Sequence, residues 1–384
     1  MTQRLRLLYI APDVVLDLPK ALSAHFTGEY ISTWMRSGAS DAKIDLEKIT
    51  ASFGDFRFHP RPKPRNSGLL AKLEELVFYA RKGVELHRQS GPYDVIVCYS
   101  PFRTAIAGLW IKWRTGTPVI VEFPLNPGSV YSRATGIGGR LRHYLAPRVA
   151  RLVARLSDGV MILFPWQLDQ LGVSSRVPRH LVHAFVRTKR NVLPSRTDDY
   201  ILLVGKPWSP KGADILLQAF LSIRDRHPGL TLVLAGSDED ATWLRQMIPA
   251  GAPVELIERL PHDDVLRLIA GCRIFALPSW TEGTPRTIIE AFASARPVIS
   301  TRTDGIPYVV RHGETGELVP VGSPVELAES IERLLNDPDY ATQLGIAGKA
   351  FAETEFDAAH IADMWRDAVN AMVVDARTAP RGTR

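Results

Sequence analysis

The sequence predicts an α/β protein: two doubly wound domains in tandem, each a parallel sheet with crossover helices, and a ligand cleft between them. Three observations carry this expectation. The chain has 384 residues, more than one ordinary core organises and suited to two domains. Short runs rich in Val, Ile and Leu alternate with longer amphipathic runs, as in strands buried on both faces and joined by helices. The alternation restarts after a polar, proline-containing connector, "RTKRNVLPSRTDD" at 187–199, which marks a boundary between a first domain at 1–190 and a second at 196–355.

In the first half "LRLLYIAP" reads as a buried strand, and "ALSAHFTGEYISTWMRSG" as a loop passing into a helix that ends at Gly38. "AKIDLEKI" is strand-like, and "LLAKLEELVFYARKGVELHR" has helical spacing. "YDVIVCYS" is a strand, "PFRTAIAGLWIKWRTG" a helix opened by Pro101, and "TPVIVEF" a strand. After the connector come "YILLVG", "GADILLQAFLSIRDRHP", "LTLVLAG", "DATWLRQMI", "PVELIERL", "HDDVLRLIAGC", "RIFALPS", "TPRTIIEAFASA" and "RPVIST", a cleaner β/α alternation. The helical runs "SPVELAESIERLLND" and "FDAAHIADMWRDAVNAMVVDA" close the chain, and 376–384 reads as a frayed basic tail.

Composition excludes several classes. Hydrophobic content of 45% and charge of 23% are those of a globular protein rather than a disordered one. No apolar stretch reaches the roughly 18 to 20 residues that span a bilayer. "LLYIAP" is cut short as a signal sequence by Pro12 and Asp13, so the expected location is cytoplasmic. Cys98 and Cys272 sit in or beside strand-like runs, where cysteine acts as a small hydrophobe, and no His or Cys spacing suggests a metal. Asp238-Glu239-Asp240 precedes a helix and reads as a capping segment rather than a metal motif.

Charge divides the chain. Residues 1–195 hold 28 Lys and Arg against 14 Asp and Glu, and residues 196–384 hold 19 against 27, so the halves carry +14 and −8. A basic first half suits an anionic partner. Basic clusters stand at "RPKPR" (61–65) and at Arg148, Arg151 and Arg155, after a Pro147 expected to start or kink their helix. Either these clusters are simply solvated surface, or they dock on anionic lipid as a peripheral protein on the inner membrane face would; with no aromatic and basic interleaving, nucleic acid is not the expected partner.

Two segments carry the chemistry. In "LLVGKPWSPKGADILL", Gly205, Lys206 and Lys211 lie on a loop between a strand and a helix, where two ammonium groups suit a diphosphate. This is neither a Walker loop nor a GxGxxG. In "TEGTPRTIIEA", Gly283 permits close backbone approach, Pro285 suits a first helical turn, and the free N–H groups of that turn form an anion site. Glu282 precedes this helix, and Glu290, five residues past Pro285, lies about 7 Å up its axis. A Glu290 carboxylate among Ile288, Ile289, Ala291 and Phe292 needs a partner. Either Arg286, four residues earlier, supplies it, or the two hydroxyls of a bound ribose do.

These residues, with "ALPSWTEGTPRTIIEAFASARPVISTRTDGIPYVVRHGETGELVP", resemble the group 1 (family 4) retaining glycosyltransferases over most of residues 200–336. The resemblance implies a GT-B fold of two Rossmann-like domains, with the helix at 356–375 crossing back onto the first. It implies that Lys206 and Lys211 hold the donor diphosphate, that Glu282 faces the transferred sugar and that Glu290 faces the ribose. Gly283 and Thr284 would then offer N–H groups. Gly305 in "TDGIP" matches one of a glycine pair whose other member is Asp304 here.

The first half departs from the family pattern. Of a double-glycine loop only "FTGEY" remains, with Gly28 facing acceptor or phosphate, and "EFPLNPGS" stands where many members have a histidine. Glu122 and Asn126 are therefore the acceptor-side candidates, with His25 as another.

The implied reaction is metal-independent retaining transfer of a hexose from a UDP- or GDP-linked sugar to a glycan or lipid-linked acceptor, without a cofactor, in surface polysaccharide or glycolipid synthesis. Catalytic work would fall to Glu282, Lys206 and Lys211. A nucleotide-sugar hydrolase or epimerase, or a non-catalytic nucleotide-sugar binder, are the alternatives. A retaining glycosidase would need its two carboxylates about 5 Å apart across the bond, which the helical offset of Glu282 and Glu290 makes awkward.

Overall fold

The structure is a computed structural model that describes residues 4–12, 18–33, 53–61, 68–127, 136–184, 186, 199–236, 241–258 and 260–378. The chain forms two compact units, Met1–His183 with Ala359–Arg384, and Ala184–Ala358. "AKIDLEKI", residues 62–65 of "RPKPR", the connector at 187–198, Asp238-Glu239-Asp240 and the last six residues lie outside the described residues.

The first unit is built on a seven-stranded sheet in the order β3-β2-β1-β4-β5-β6-β7. Its strands are β1 (Leu5–Ala11), β2 (Phe26–Thr33), β3 (Phe56–Arg61), β4 (Val95–Tyr99), β5 (Val119–Phe123), β6 (Gly159–Ile162) and β7 (Arg179–Leu181). All pairings are parallel. Helices Gly68–Ser90, Arg103–Thr115 and Gly136–Leu156 make the rightward crossovers into β4, β5 and β6. The sense of these crossovers places the three helices on one face of the sheet. Their buried sides meet Leu8, Ile10, Ile96, Cys98, Val119 and Val121 in one core.

Helix Ala358–Thr378, although last in sequence, belongs to this unit. Trp365 packs against Tyr9 with ring centroids 5.8 Å apart, and Tyr9 stacks on Tyr30 at 4.7 Å. A Cβ on Gly159 would sit 2.1 Å from the Met372 sulfur, so that glycine lets the helix lie on β6.

Two expectations fail in this unit. Residues 26–33 form β2 rather than a loop leading into a helix: Tyr30 and Ile31 are buried, Gly28 pairs with Leu7, and β-branched and aromatic residues fit the pleated surface. Of the two roles expected of Pro147, starting the helix is the one that fails, since the proline lies inside Gly136–Leu156. Ala146, Ala150, Val153 and Ala154 are buried along one side past the proline, and this packing offsets the missing hydrogen bond. Strands β3, β6 and β7 had no clear sequence signal, being short or containing Pro60.

The second unit has a six-stranded parallel sheet in the order β10-β9-β8-β11-β12-β13, the doubly wound arrangement of dinucleotide-binding folds. Its strands are β8 (Tyr200–Val204), β9 (Thr231–Gly236), β10 (Val254–Glu258), β11 (Ile274–Leu277), β12 (Val298–Thr301) and β13 (Glu317–Val319). The predicted elements form here as read. Helix Pro338–Glu355 and the short strand β13 are additions that the pattern did not announce. β8 and β11 are buried throughout and adjacent, so the loops leaving their carboxyl ends emerge side by side.

Candidate functional site

The loop after β8 carries Gly205, Lys206 and Lys211, and the loop after β11 carries Ser279, Glu282, Gly283 and Thr284. Backbone contacts tie the two together: Trp280 N–H donates to the Pro210 carbonyl at 2.9 Å. Gly212 has φ 73°, and a Cβ there would stand 2.1 Å from the Pro278 carbonyl oxygen, so the close approach requires glycine. Gly205 lets the Lys211 stem lie against the strand end, since a Cβ would meet its Cγ at 2.9 Å.

Lys211 Nζ donates to Glu282 Oε1, and Ser279 Oγ donates to the same oxygen at 3.0 Å. Glu282 is buried and Ser279 fully so. The Lys211 ammonium offsets the cost of burying that carboxylate. Lys206, by contrast, is exposed.

Asp304 takes the position of the first glycine of the pair. It adopts φ 42°, a conformation that glycine accepts freely and Asp tolerates. Its Oδ2 accepts from Thr281 Oγ1 at 2.7 Å and from Glu282 N–H at 3.2 Å, so the departure is put to use in fixing the Glu282 loop. Gly305 N–H approaches the Glu282 carbonyl at 3.5 Å. Thr301 Oγ1 donates to the Ser279 carbonyl at 2.6 Å and completes this support.

Helix Arg286–Ala293 follows directly, with Pro285 at its N-cap and no side chain capping its free N–H groups. Beside that end, Thr284 is buried and its hydroxyl has no hydrogen-bond partner. Glu290 is 5% exposed on the same helix, and His262 Nε2 stands 3.5 Å from its Oε1. His262, Ser279 and the supporting role of Asp304 escaped the sequence reading. His262 opens a helix in a different crossover, and only the fold brings it near Glu290.

Residues 198–337 match the family model "Glycosyl transferases group 1", and residues 45–185 match "Glycosyl transferase 4-like domain", together more than half of the chain.

The chain belongs to the group 1 (family 4) glycosyltransferases.

The chain is 28% identical over 153 residues to a D-inositol 3-phosphate glycosyltransferase of Corynebacterium diphtheriae, covering 38% of the present chain and 36% of that protein. It spans about half the length of the curated relatives it matches. Its fold is GT-B. Sucrose-phosphate synthase of Thermosynechococcus elongatus superposes with a TM-score of 0.75 at 20% identity, over 96% of this chain and 100% of that one. Anabaena HepE in complex with UDP and glucose gives 0.72 at 16%, with the same coverage.

In the first unit of the glycosyltransferase the acceptor-side candidates separate. Glu122 stands on β5, and Tyr9 OH donates to its Oε1 at 2.5 Å. Burial pushes its carboxyl up to about 8, against the opposing pull of the Tyr9 hydroxyl. Asn126 is buried in the loop beyond, donating to Gln170 Oε1 at 2.7 Å. Gln167 fixes this loop by donating to the Phe123 and Leu125 carbonyls at 2.8 and 3.2 Å.

His25 lies just before the amino end of β2, and its Nε2 is 3.0 Å from Asp363 Oδ1 on helix Ala358–Thr378. In a parallel sheet that is the edge opposite to Glu122. Gly28 lies inside β2, where a Cβ would stand 1.9 Å from the Leu7 carbonyl oxygen, so its place is against the neighbouring strand and not in a ligand loop. Cys98 and Cys272 are fully buried, and burial raises both thiols, that of Cys272 to about 12.

Proposed function

We propose that the protein transfers a hexosyl group, with retention, from a nucleoside-diphosphate sugar to a glycan or lipid-linked acceptor. The observation that carries this reading is the alignment of anion-binding and hydroxyl-binding groups along one helix of the second unit. Lys211, the unpartnered Thr284 hydroxyl and the uncapped start of Arg286–Ala293 suit a diphosphate. Buried Glu290, farther along the axis, suits the ribose hydroxyls.

In this reading Lys206, Lys211 and the helix start stabilise charge that develops on the departing diphosphate. Lys211 leaves Glu282 for the phosphate, and Glu282 becomes an acceptor for hydroxyls of the transferred sugar. Gly283, Pro285 and Gly305 shape the backbone around it. The acceptor hydroxyl attacks from the leaving-group face, and a phosphate oxygen takes its proton. Glu122 and Asn126 are the acceptor-side groups, and no metal ion is required. The UDP and glucose bound to the related HepE fold support a uridine nucleotide as the first donor to try, and the basic first half of the chain supports an acceptor at an anionic membrane surface.

Calorimetric titration with UDP, GDP and ADP in the absence of metal tests the reading. One nucleotide should bind selectively, and Glu290→Ala and Lys211→Ala should each weaken it at least about tenfold, the loss of one hydrogen bond to a charged group. Absence of binding by the folded wild-type protein would remove the donor reading.

A further inference from the structure

The three crossover helices of the first unit present an outer surface that the transfer reaction does not use. Helix Gly136–Leu156 shows two apolar sides. Gly139, Ala146, Ala150, Val153 and Ala154 are buried, while Ile137 (88%), Leu141 (54%), Tyr144 (57%), Leu145, Leu152 and Leu156 are exposed. The exposed positions recur every three to four residues and form a stripe along the helix. An ordinary surface helix places polar residues there. Here the interspersed charges are Arg140, Arg142, Arg148, Arg151 and Arg155, with no acidic residue in the helix. Arg148 packs on the Tyr144 ring, 3.4 Å from its centroid, which leaves its charge beside the apolar stripe.

The neighbouring helices repeat the combination. Arg103–Thr115 exposes Ile106, Trp110 and Trp113, the last at 75%, with Arg114 lying over both indoles. Gly68–Ser90 exposes Leu69, Leu70, Leu73 and Val77. Between these two helices runs a crevice of about 430 Å³ lined by Arg81, Arg88, Arg114, Trp110 and the acidic Glu85, which is held by Lys82 at 2.7 Å. Arg81 and Arg88 are exposed and have no acidic partner among the described residues. Across the three helices stand twelve Lys and Arg against three Glu, all three on Gly68–Ser90.

We infer that this face docks on an anionic phospholipid bilayer, with the crevice taking a lipid headgroup phosphate between Arg81, Arg88 and Arg114. Leucines and isoleucines enter the interfacial layer, and Trp110 and Trp113 sit at its depth, where indole is favoured. The charge excess selects anionic over zwitterionic lipid. No helix among the described residues is long and apolar enough to cross a membrane, so contact is lateral. The inference names the surface for the membrane-linked acceptor proposed above, and its test is independent of the donor site.

The experiment is flotation of the full chain with phosphatidylcholine vesicles, with and without 30% phosphatidylglycerol, at about 0.1 M salt. Binding is expected to the anionic vesicles only. Charge reversal of the crevice (Arg81→Glu, Arg88→Glu, Arg114→Glu) should lower partitioning about a hundredfold or more, at roughly fivefold per arginine lost. Leu141→Glu with Leu145→Glu should lower it at least about tenfold. These side chains are exposed, and nucleotide titration on the same variants serves as the control, since it should be unchanged.

Equal binding to both vesicle types, no binding, or binding that neither set of substitutions changes would overturn the inference. So would a self-associating wild type made monomeric by the leucine substitutions with vesicle binding intact, because the face would then belong to a second copy. Loss of nucleotide binding in the wild type would instead strike the donor reading alone.

Discussion

Lys211 and Glu282 come from loops after two adjacent strands, 71 residues apart, and meet in a partly buried ion pair that Ser279 reinforces. The pair joins the cation suited to a leaving diphosphate to the carboxylate suited to the sugar. Lys211→Met should therefore destabilise the second unit by about 2–4 kcal/mol, because it strands a buried carboxylate. Adding Glu282→Gln should recover part of that loss. Urea unfolding of the two single variants and the double variant measures the coupling, and additive effects would contradict it.

Glu122 makes stability depend on pH. Its carboxyl rises from an ordinary 4.5 to about 8 in the folded protein, so the folded state holds this proton more tightly than the unfolded chain. The resulting stabilisation is complete below about pH 4.5 and is lost as pH rises through about 8. Thermal unfolding should show the wild type losing Tm between about pH 4.5 and 8, at roughly 2–4 °C per kcal/mol. Glu122→Gln should flatten that slope and exceed the wild type at pH 9.

Among the described residues, Tyr9 is the side chain whose hydrogen bond opposes that rise. Tyr9→Phe should move the fall in Tm to higher pH, since the charged carboxylate loses its donor. An unchanged or lower midpoint would show that the hydroxyl does not favour the ionised form.

Gly28 and Gly138 should respond oppositely to alanine. At Gly28 the new methyl meets the Leu7 carbonyl at 1.9 Å within the β1–β2 pairing, and the first unit should lose its cooperative transition. At Gly138, in a helix, the nearest atom is an Arg142 nitrogen at 3.8 Å, and alanine should stabilise by up to about 1 kcal/mol. Circular dichroism melts of both variants decide it.

Trp365, on the buried side of helix Ala358–Thr378, is 2% exposed. Trp365→Ala should cost about 3–5 kcal/mol and selectively destabilise the first unit in denaturant, because the helix packs within that unit. A loss confined to the second unit would contradict that assignment.

Legibility differed between the two units for a physical reason. In the second, strands such as Leu202–Leu203 and Phe275–Ala276 are buried on both faces and sit between amphipathic helices, so local pattern and tertiary environment agree. The Glu282–Glu290 spacing, Lys211 and the uncapped helix were readable because each depends on a short continuous segment. In the first, β2 was hidden by Gly28, whose presence reads locally as a loop and is explained only by the Leu7 carbonyl opposite. β6 and β7, at four and three residues, are too short for a period to register.

The sequence by itself determined the two parallel sheets, the basic and acidic halves, and the loop and helix that carry Lys211, Glu282 and Glu290. These follow from periodicity, charge and turn chemistry, which are local. Only the tertiary structure decided that His262 stands by Glu290, that Asp304 braces Glu282 and that Tyr9 holds Glu122. Each of those joins residues far apart in sequence, and hydrogen bonding and burial depend on distance in space rather than along the chain.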